Sequence, residues 1–335
     1  MTETNRRWLL RARPSGRIDD TTFELDVAPV PEIADGEALV RTTHISVDPT
    51  NRAWIGDVPT YLPPVAIGAV MRAGGVGEVV ASRNPAYPVG TFATGMTGWQ
   101  DYVVAGGRRP LTPIPVGFPA PPQTALGVMG ATGMTAYFGM LEIADPQDGE
   151  TVVVSAAAGA VGSIAGQLAK LRGARVVGIA GGPEKCRLLT EELGFDAAVD
   201  YKASDWRSQL RSATPDGIDV DFENVGGDIM DAVFARLNKG ARVALCGLIS
   251  GYNDKNPPPG PRAFGRLLTM RVRLQGFIIL DYLDRFPEGQ LALGQWLAEG
   301  RVNAPETVVE GFDQLPHALN MLFDGENVGK LIVAV

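Results

Sequence analysis

Apolar and polar positions change their period partway along the chain. Between Arg6 and about Ala125, short apolar runs are cut repeatedly by proline and glycine: Trp8-Leu9-Leu10, Phe23-Glu24-Leu25-Asp26-Val27, Ala38-Leu39-Val40-Arg41-Thr42 and Val76-Gly77-Glu78-Val79-Val80. Runs of this length, bounded by turn formers, predict short strands in a compact, mostly β domain. His44 falls at the end of one such strand and, alone, reads as a hydrogen-bonded structural histidine rather than a ligand. Near Pro119-Ala120-Pro121-Pro122 the composition shifts, and 124–141 becomes a small-residue, helix-like stretch. Beyond Gly149 strands and helices alternate. Thr151-Val152-Val153-Val154 is a strand; after a turn of small residues, Val161, Ile164, Ala165 and Leu168 form the stripe of a helix lying on a sheet, with Gly173 as its stop. Strands follow at 175–180, 197–201, 219–224 and 242–246, separated by helices at 184–193, 205–212 and 229–237, the last closed by Gly240. This alternation predicts a parallel, doubly wound sheet whose ligand sits beyond the C-terminal strand ends. A loop around 253–260, a helix at 262–270, a strand at 272–279 and a helix at 288–299 come next; the tail returns to a helix at 315–323 and a strand at 330–333. The reading is therefore two domains, one discontinuous over 1–125 and 302–335, the other spanning 126–301.

The turn after the first strand of the alternating region carries the chemistry. Set against the G-x-G-x-x-G pattern, Ala157, Gly159 and Gly162 occupy the three glycine positions. The backbone at Gly159 can then approach a pyrophosphate, whose charge the helix N-terminus favours. An NAD site places Asp or Glu about twenty residues further on; here that position reads Ala180-Gly181-Gly182-Pro183, with Lys185 just inside the next helix. With no carboxylate to repel a 2′-phosphate, NADPH is the expected cofactor, although a lysine there serves equally as a helix-surface residue.

Charge and cysteine content narrow the class. A net charge of -8 argues against a nucleic-acid surface or an anionic membrane as partner. The opening Met-Thr-Glu-Thr-Asn-Arg-Arg lacks an apolar signal region, and no segment offers the roughly eighteen uncharged apolar residues of a membrane span, so cytoplasmic residence is expected. The two cysteines, Cys186 and Cys246, cannot build a disulfide framework or a four-cysteine zinc site, and no cysteine precedes Cys186. No metal is expected.

Long stretches of the chain resemble the zinc-free medium-chain dehydrogenase/reductases, in the branch of prostaglandin reductases, plant alkenal double-bond reductases and bacterial curcumin reductases. They include Ser46-Val47-Asp48-Pro49 with Arg52, Pro63-Pro64-Val65, Gly130-Ala131-Thr132-Gly133-Met134-Thr135-Ala136-Tyr137, 156–162, Glu184-Lys185-Cys186, Asp200-Tyr201-Lys202, Glu223-Asn224-Val225-Gly226-Gly227, Cys246-Gly247 with Ile249, Tyr252-Asn253, and Asn327 with Gly329-Lys330. The resemblance covers nearly the whole chain. It implies a GroES-like catalytic domain beside a Rossmann domain, NADPH, and reduction of carbon-carbon double bonds conjugated to a carbonyl: hydride to the β-carbon, then protonation of the enolate. It also implies a homodimer, for which the strand at 272–279 offers an exposed edge. Cofactor candidates are Ala157, Gly159, Ala160, Val161, Gly162, Gly181, Lys185, Tyr201, Asn224, Cys246, Gly247, Ile249, Tyr252 and Asn327. Tyr201 would add a phenolic hydrogen bond, and Asn327 would lie near the cofactor or serve only as a turn residue.

Tyr252 is the catalytic candidate. It follows the 242–246 strand and its turn, emerging at the edge where a nicotinamide would lie, and its hydroxyl can donate to a developing enolate oxygen. The alternative is an aromatic lid over the cofactor. Trp54, Tyr61 and Met129 suggest an apolar wall for a small enone or enal, or simple packing. Two other functions fit the same fold: a quinone oxidoreductase and a non-catalytic NADPH sensor.

Overall fold

The computed structural model describes residues 4–107, 111–117, 120–255 and 259–335. Met1-Thr2-Glu3, Pro119 of the expected domain junction and Asn256-Pro257-Pro258 of the expected loop lie outside the described residues. The chain divides into two compact units, one formed by Met1–Leu126, Thr307–Glu326 and Leu331–Val335, the other by Gly127–Glu306 and Asn327–Lys330.

The first unit is mostly strand. Its early elements are β1 (Thr4–Leu10), β2 (Phe23–Pro29), β3 (Glu37–Val47), α1 (Pro49–Trp54), β4 (Gly75–Ser82), β5 (Phe92–Gly95), β6 (Tyr102–Gly106) and β7 (Thr112–Pro113). β1 and β2 form an antiparallel pair of their own. β3 extends past the strand read from sequence, so His44 lies inside it, opposite Val76 and Ala334 rather than at its end. Burial depresses the basicity of His44, and its Nδ1 meets Thr43 Oγ1 at 3.1 Å, a structural setting.

The second unit holds β8 (Thr151–Val154), β9 (Arg175–Ala180), β10 (Ala197–Asp200), β11 (Ile218–Glu223), β12 (Leu237–Leu245) and β13 (Arg273–Gly276). They form one sheet in the order β10-β9-β8-β11-β12-β13, and every recorded pairing is parallel. Its helices are α2 (Ala131–Phe138), α3 (Ala160–Leu171), α4 (Pro183–Arg187), α5 (Trp206–Ala213), α6 (Gly227–Phe234), α7 (Phe264–Met270) and α8 (Phe286–Ala298). Alternate side chains of each strand serve opposite faces. Val152, Val154, Val176, Val220 and Phe222 pack in one core with Met134, Ile164, Leu168 and Leu293, whereas Val153, Val177, Val199 and Val243 pack in a second with Trp206, Leu210, Met230 and Val233. Helices thus cover both faces, which is why the strands read as continuous apolar runs.

The remaining elements are β14 (Glu306–Glu310), α9 (Leu315–Asp324) and β15 (Lys330–Ala334). β14 and β15 complete the sheet β14-β15-β3-β4-β5-β7 of the first unit, with β6 paired to β3. Residues 327–330 nevertheless group with the parallel-sheet unit, because the Gly329 N–H donates to Ala158 O at 2.7 Å and the Lys330 N–H to Pro305 O at 2.9 Å.

Four elements depart from their sequence patterns, the helix expected at 184–193 among them, which splits into α4 and a π-helical turn, Leu188–Glu192. The helix expected at 229–237 and closed by Gly240 ends at Phe234; Leu237 already opens β12, and Gly240, at φ 80°, sits inside that strand, where the register with β11 jumps. Gly240 is thus a bulge residue, whose free φ the irregular pairing needs. The strand expected at 272–279 pairs only over β13; Phe277 and Ile279 turn instead onto the core beside Phe222, so the apolar run continues as a 3₁₀ segment, Ile279–Arg285. The helix-like stretch 124–141 splits into a 3₁₀ turn, Pro122–Leu126, then α2 and a π-helical turn, Gly139–Ala144.

Candidate functional site

Because the strands of the second sheet run parallel, the segments leaving their carboxyl ends all fall along one edge. The strand order reverses between β8 and β11, and a doubly wound sheet leaves its crevice at that point. The turn after β8 is tight. Ala156 adopts φ 48°, a left-handed conformation that costs an alanine about 1–2 kcal/mol and is held here by its surroundings. A Cβ at Gly162 would lie 2.5 Å from Ala156 O and 2.9 Å from Ala157 Cα, so only glycine lets α3 approach the turn. Gly159 plays another part. It is the N-cap of α3 and offers no side-chain cap, and a Cβ there would meet nothing but Ala156 O, at 3.2 Å. No side chain caps this twelve-residue helix, and a helix N-terminus of this kind favours an anion. Ala157 at the first glycine position is fully buried against Gly178, where a methyl fits and a larger group would not.

The turns after β9 and β10 meet beside it. The Asp200 carboxylate accepts the N–H of Gly182 at 2.7 Å and of Lys202 at 2.9 Å. A Cβ at Gly181 would stand 2.9 Å from Tyr201 Cε1 and 3.0 Å from Lys202 Cε, so the ring and the lysine stem lie over that glycine. Lys185 is lowered in basicity by burial first and by the Lys202 ammonium second. Two like charges converge on one turn, an arrangement that a dianion would relieve. Lys202 was absent from the residues inferred from sequence; its adjacency to Tyr201 was the available signal.

Past β11 and β12 the segments are laced together. The Asn224 amide donates to Ser155 O at 2.7 Å, Ile249 N–H to Asn224 O at 3.2 Å, and Ser250 N–H to Val225 O at 3.0 Å. The N–H groups of Cys246 and Gly247 both donate to Glu223 O, at 2.9 and 3.0 Å. Tyr252 follows directly: its hydroxyl accepts the Leu248 N–H at 3.4 Å, a long contact that keeps its own proton available for donation. Burial raises the phenol above its ordinary value, outweighing the Leu248 contact, so the proton is retained across neutral pH. Asn327 arrives with the returning chain, its amide donating to Gly329 O at 3.0 Å beside the glycine turn. That bond closes the turn whose Gly329 pairs with Ala158 and Gly159. All the cofactor candidates thus lie in the second unit, at or beside this edge. Met129 belongs to the same unit, packed on its core. Trp54 and Tyr61 belong to the other, where their rings meet edge to face at 6.4 Å. Among the described residues no group of His, Cys, Asp and Glu is placed to hold a metal ion.

Known proteins match this arrangement. The profile described as N-terminal domain of oxidoreductase matches residues 6–113, and that described as zinc-binding dehydrogenase matches 160–294. The chain is 44% identical to NADPH-dependent curcumin reductase of Escherichia coli (strain K12), covering 99% of this chain and 97% of that one. This chain is a medium-chain dehydrogenase/reductase of the curcumin and prostaglandin reductase branch. Prostaglandin reductase 1 of Mus musculus is 40% identical across 97% of this chain and 98% of its own. CurA from Vibrio vulnificus, solved in complex with NADPH, superposes with a TM-score of 0.94 at 44% identity, over 98% of this chain and 99% of that one.

Cys246 lies at this edge without being poised to react. Burial first, and Glu223 second, push its thiol up to about 12. At pH 8 only about one molecule in 10⁴ carries the thiolate that alkylates. Iodoacetamide at pH 8 should leave Cys246 unmodified in the folded protein, with labelling rising about tenfold per pH unit towards pH 11; rapid modification at pH 8 by peptide mass spectrometry would contradict this environment.

Proposed function

We propose that this chain is an NADPH-dependent reductase of carbon-carbon double bonds conjugated to a carbonyl, acting on small α,β-unsaturated ketones and aldehydes. The observation that carries the reading is the meeting, at one sheet edge, of a helix N-terminus without a side-chain cap, a pair of converging lysines and a half-buried, proton-retaining tyrosine. The named activities of the curcumin and prostaglandin reductases and the NADPH held by CurA support it.

The residues present fit that cofactor. Gly159 leaves room for a pyrophosphate against the Ala160 and Val161 N–H groups, and Lys185, Lys202 and Tyr201 surround the Gly181 turn where a 2′-phosphate carries its charge. Asn224, Cys246, Gly247 and Ile249 would wall the crevice, with Asn327 closing beside the glycine turn. When bound, NADPH supplies the hydride that adds to the substrate β-carbon. Tyr252 then donates its hydroxyl hydrogen bond to the substrate oxygen, where negative charge develops, and its raised pKa keeps that donor protonated. Trp54, Tyr61 and Met129 are the proposed apolar contacts for the substrate. The parallel-sheet unit serves as the NADPH-binding domain, the strand-rich unit as the catalytic domain.

A homodimer belongs to the same proposal. β13 is an exposed edge strand, and Leu274 on it, 39% exposed, lies with Phe264 and Leu268 of α7, 63% and 81% exposed, in the segment leading to that edge. An edge of this kind is covered in most soluble proteins. A cytoplasmic setting, where thiols such as Cys186 and Cys246 stay reduced, completes it; no helix among the described residues is long and apolar enough to cross a membrane.

The product made from 3-nonen-2-one tests the activity. The saturated ketone is expected, whereas an allylic alcohol, or turnover of quinones alone, would overturn the reading. Tyr252→Phe keeps the ring and should lower kcat by about 10²–10³ with NADPH affinity unchanged; a wild-type kcat would remove the hydroxyl from the reaction. Lys185→Ala and Lys202→Ala should each raise KM for NADPH by about tenfold, the loss of one charge-assisted hydrogen bond, with NADH kinetics little altered. Equal losses with both cofactors would place the lysines elsewhere. In sedimentation at micromolar concentration the chain should run as a dimer that Leu274→Lys converts to monomer; a wild-type monomer would refute the edge pairing.

A further inference from the structure

We propose that Glu223 is the positioning residue of the cofactor crevice: one oxygen of its buried carboxyl fixes the spacing between the turn after β8 and the turn after β11. The proposal rests on reading this edge as the NADPH site.

Glu223 is the last residue of β11 and is fully buried, so it cannot itself touch a ligand. Its Oε1 gathers three donors, the Ser155 hydroxyl at 2.8 Å, the Val225 N–H at 2.5 Å and the Gly226 N–H at 2.9 Å. Ser155, also fully buried, opens the glycine-rich turn and accepts the Asn224 N–H on its own hydroxyl at 2.7 Å. A single oxygen therefore joins the first residue of one turn to the body of the other. These turns flank the point where the strand order reverses.

The carboxyl is held between opposing influences. Burial raises its pKa against the opposing pull of the Gly226 and Val225 N–H groups and the Ser155 hydroxyl. Asp221, two residues earlier and on the same face, is fully buried with neither oxygen hydrogen-bonded, and its own pKa is raised well above the usual carboxylate range by that burial and by Glu223. All three donors reach Oε1, and Oε2 has no partner. Glutamine offers the same oxygen in the same place.

The test compares Glu223→Ala, Glu223→Gln, Ser155→Ala and the Ala/Ala double variant as folded proteins. It reads NADPH Kd by nicotinamide fluorescence, kcat and KM with an enone, and apo melting temperature. Glu223→Ala should weaken NADPH binding by at least about tenfold, and Gln should restore it to within about threefold. Ser155→Ala should produce a partial loss, and the double variant should be no worse than Glu223→Ala by more than about twofold, because both act through one link. If Ala at 223 does not fold, Ser155→Ala and Glu223→Gln decide alone. Lowered melting temperature with Kd and kcat unchanged would reduce Glu223 to a structural role, and a Gln variant as impaired as Ala would rule out the acceptor geometry; either result overturns the proposal. Gly159→Val tests the underlying site separately. Its loss of NADPH binding supports the site, and retained binding overturns the site and the proposal together.

Discussion

Parallel pairing is the constraint on which the rest depends. An antiparallel sheet would scatter the turns after successive strands to opposite edges, whereas six parallel strands bring the segments after β8, β9, β10, β11 and β12 to the same one. Residues far apart in sequence, Gly159, Gly181, Tyr201, Asn224 and Tyr252 among them, become neighbours of one crevice without any of them having to be specified as such. The helices on both faces make that arrangement affordable, since strands buried on both sides need almost no polar residue. Three of the buried polar residues, Ser155, Asp221 and Glu223, stand at or near the carboxyl ends of the two strands that flank the crevice.

Electrostatics divides the edge into two regions. Around Gly181 the Lys185 and Lys202 ammonium groups face one another, and burial first, then the Lys202 charge, lower the basicity of Lys185. Around Glu223 the balance is reversed: burial raises the Glu223 carboxyl, the Cys246 thiol and the Tyr252 phenol alike, so the thiol and the phenol hold their protons at neutral pH. One end of the crevice suits a phosphate. The other suits a reaction that needs a neutral donor beside developing negative charge.

Much of this was legible in the chain, and the limits have physical causes. The 3.6-residue stripe of α3 and the β-branched run of β8 are local patterns, and the small residues between them can form only a tight turn. The start of β12 is not legible because Leu237, Asn238, Lys239 and Gly240 carry no strand signature; only Leu237 pairs with β11, opposite Ile218, before the register jumps to Arg242. The strand at 272–279 was overextended for the converse reason, since Phe277 and Ile279 are β-like in isolation but find their burial against Phe222 and the neighbouring core. Lys202 and Glu223 escaped notice because their roles arise across the sheet, from Gly181 and Ser155, and no spacing in one dimension reports such pairs. The two acids of Ile-Asp-Val-Asp-Phe-Glu that face an apolar core, Asp221 and Glu223, were a visible sign that went unread.

Hydrogen-deuterium exchange with and without saturating NADPH tests most directly the claim that one sheet edge forms the cofactor crevice. The account predicts that protection appears together in 155–162, 181–185, 201–202, 224–226, 246–252 and 327–329, while the opposite, amino-terminal ends of the same strands are unchanged. Protection confined to the strand-rich unit, or spread along the amino-terminal edge with the glycine turn unaffected, would contradict it.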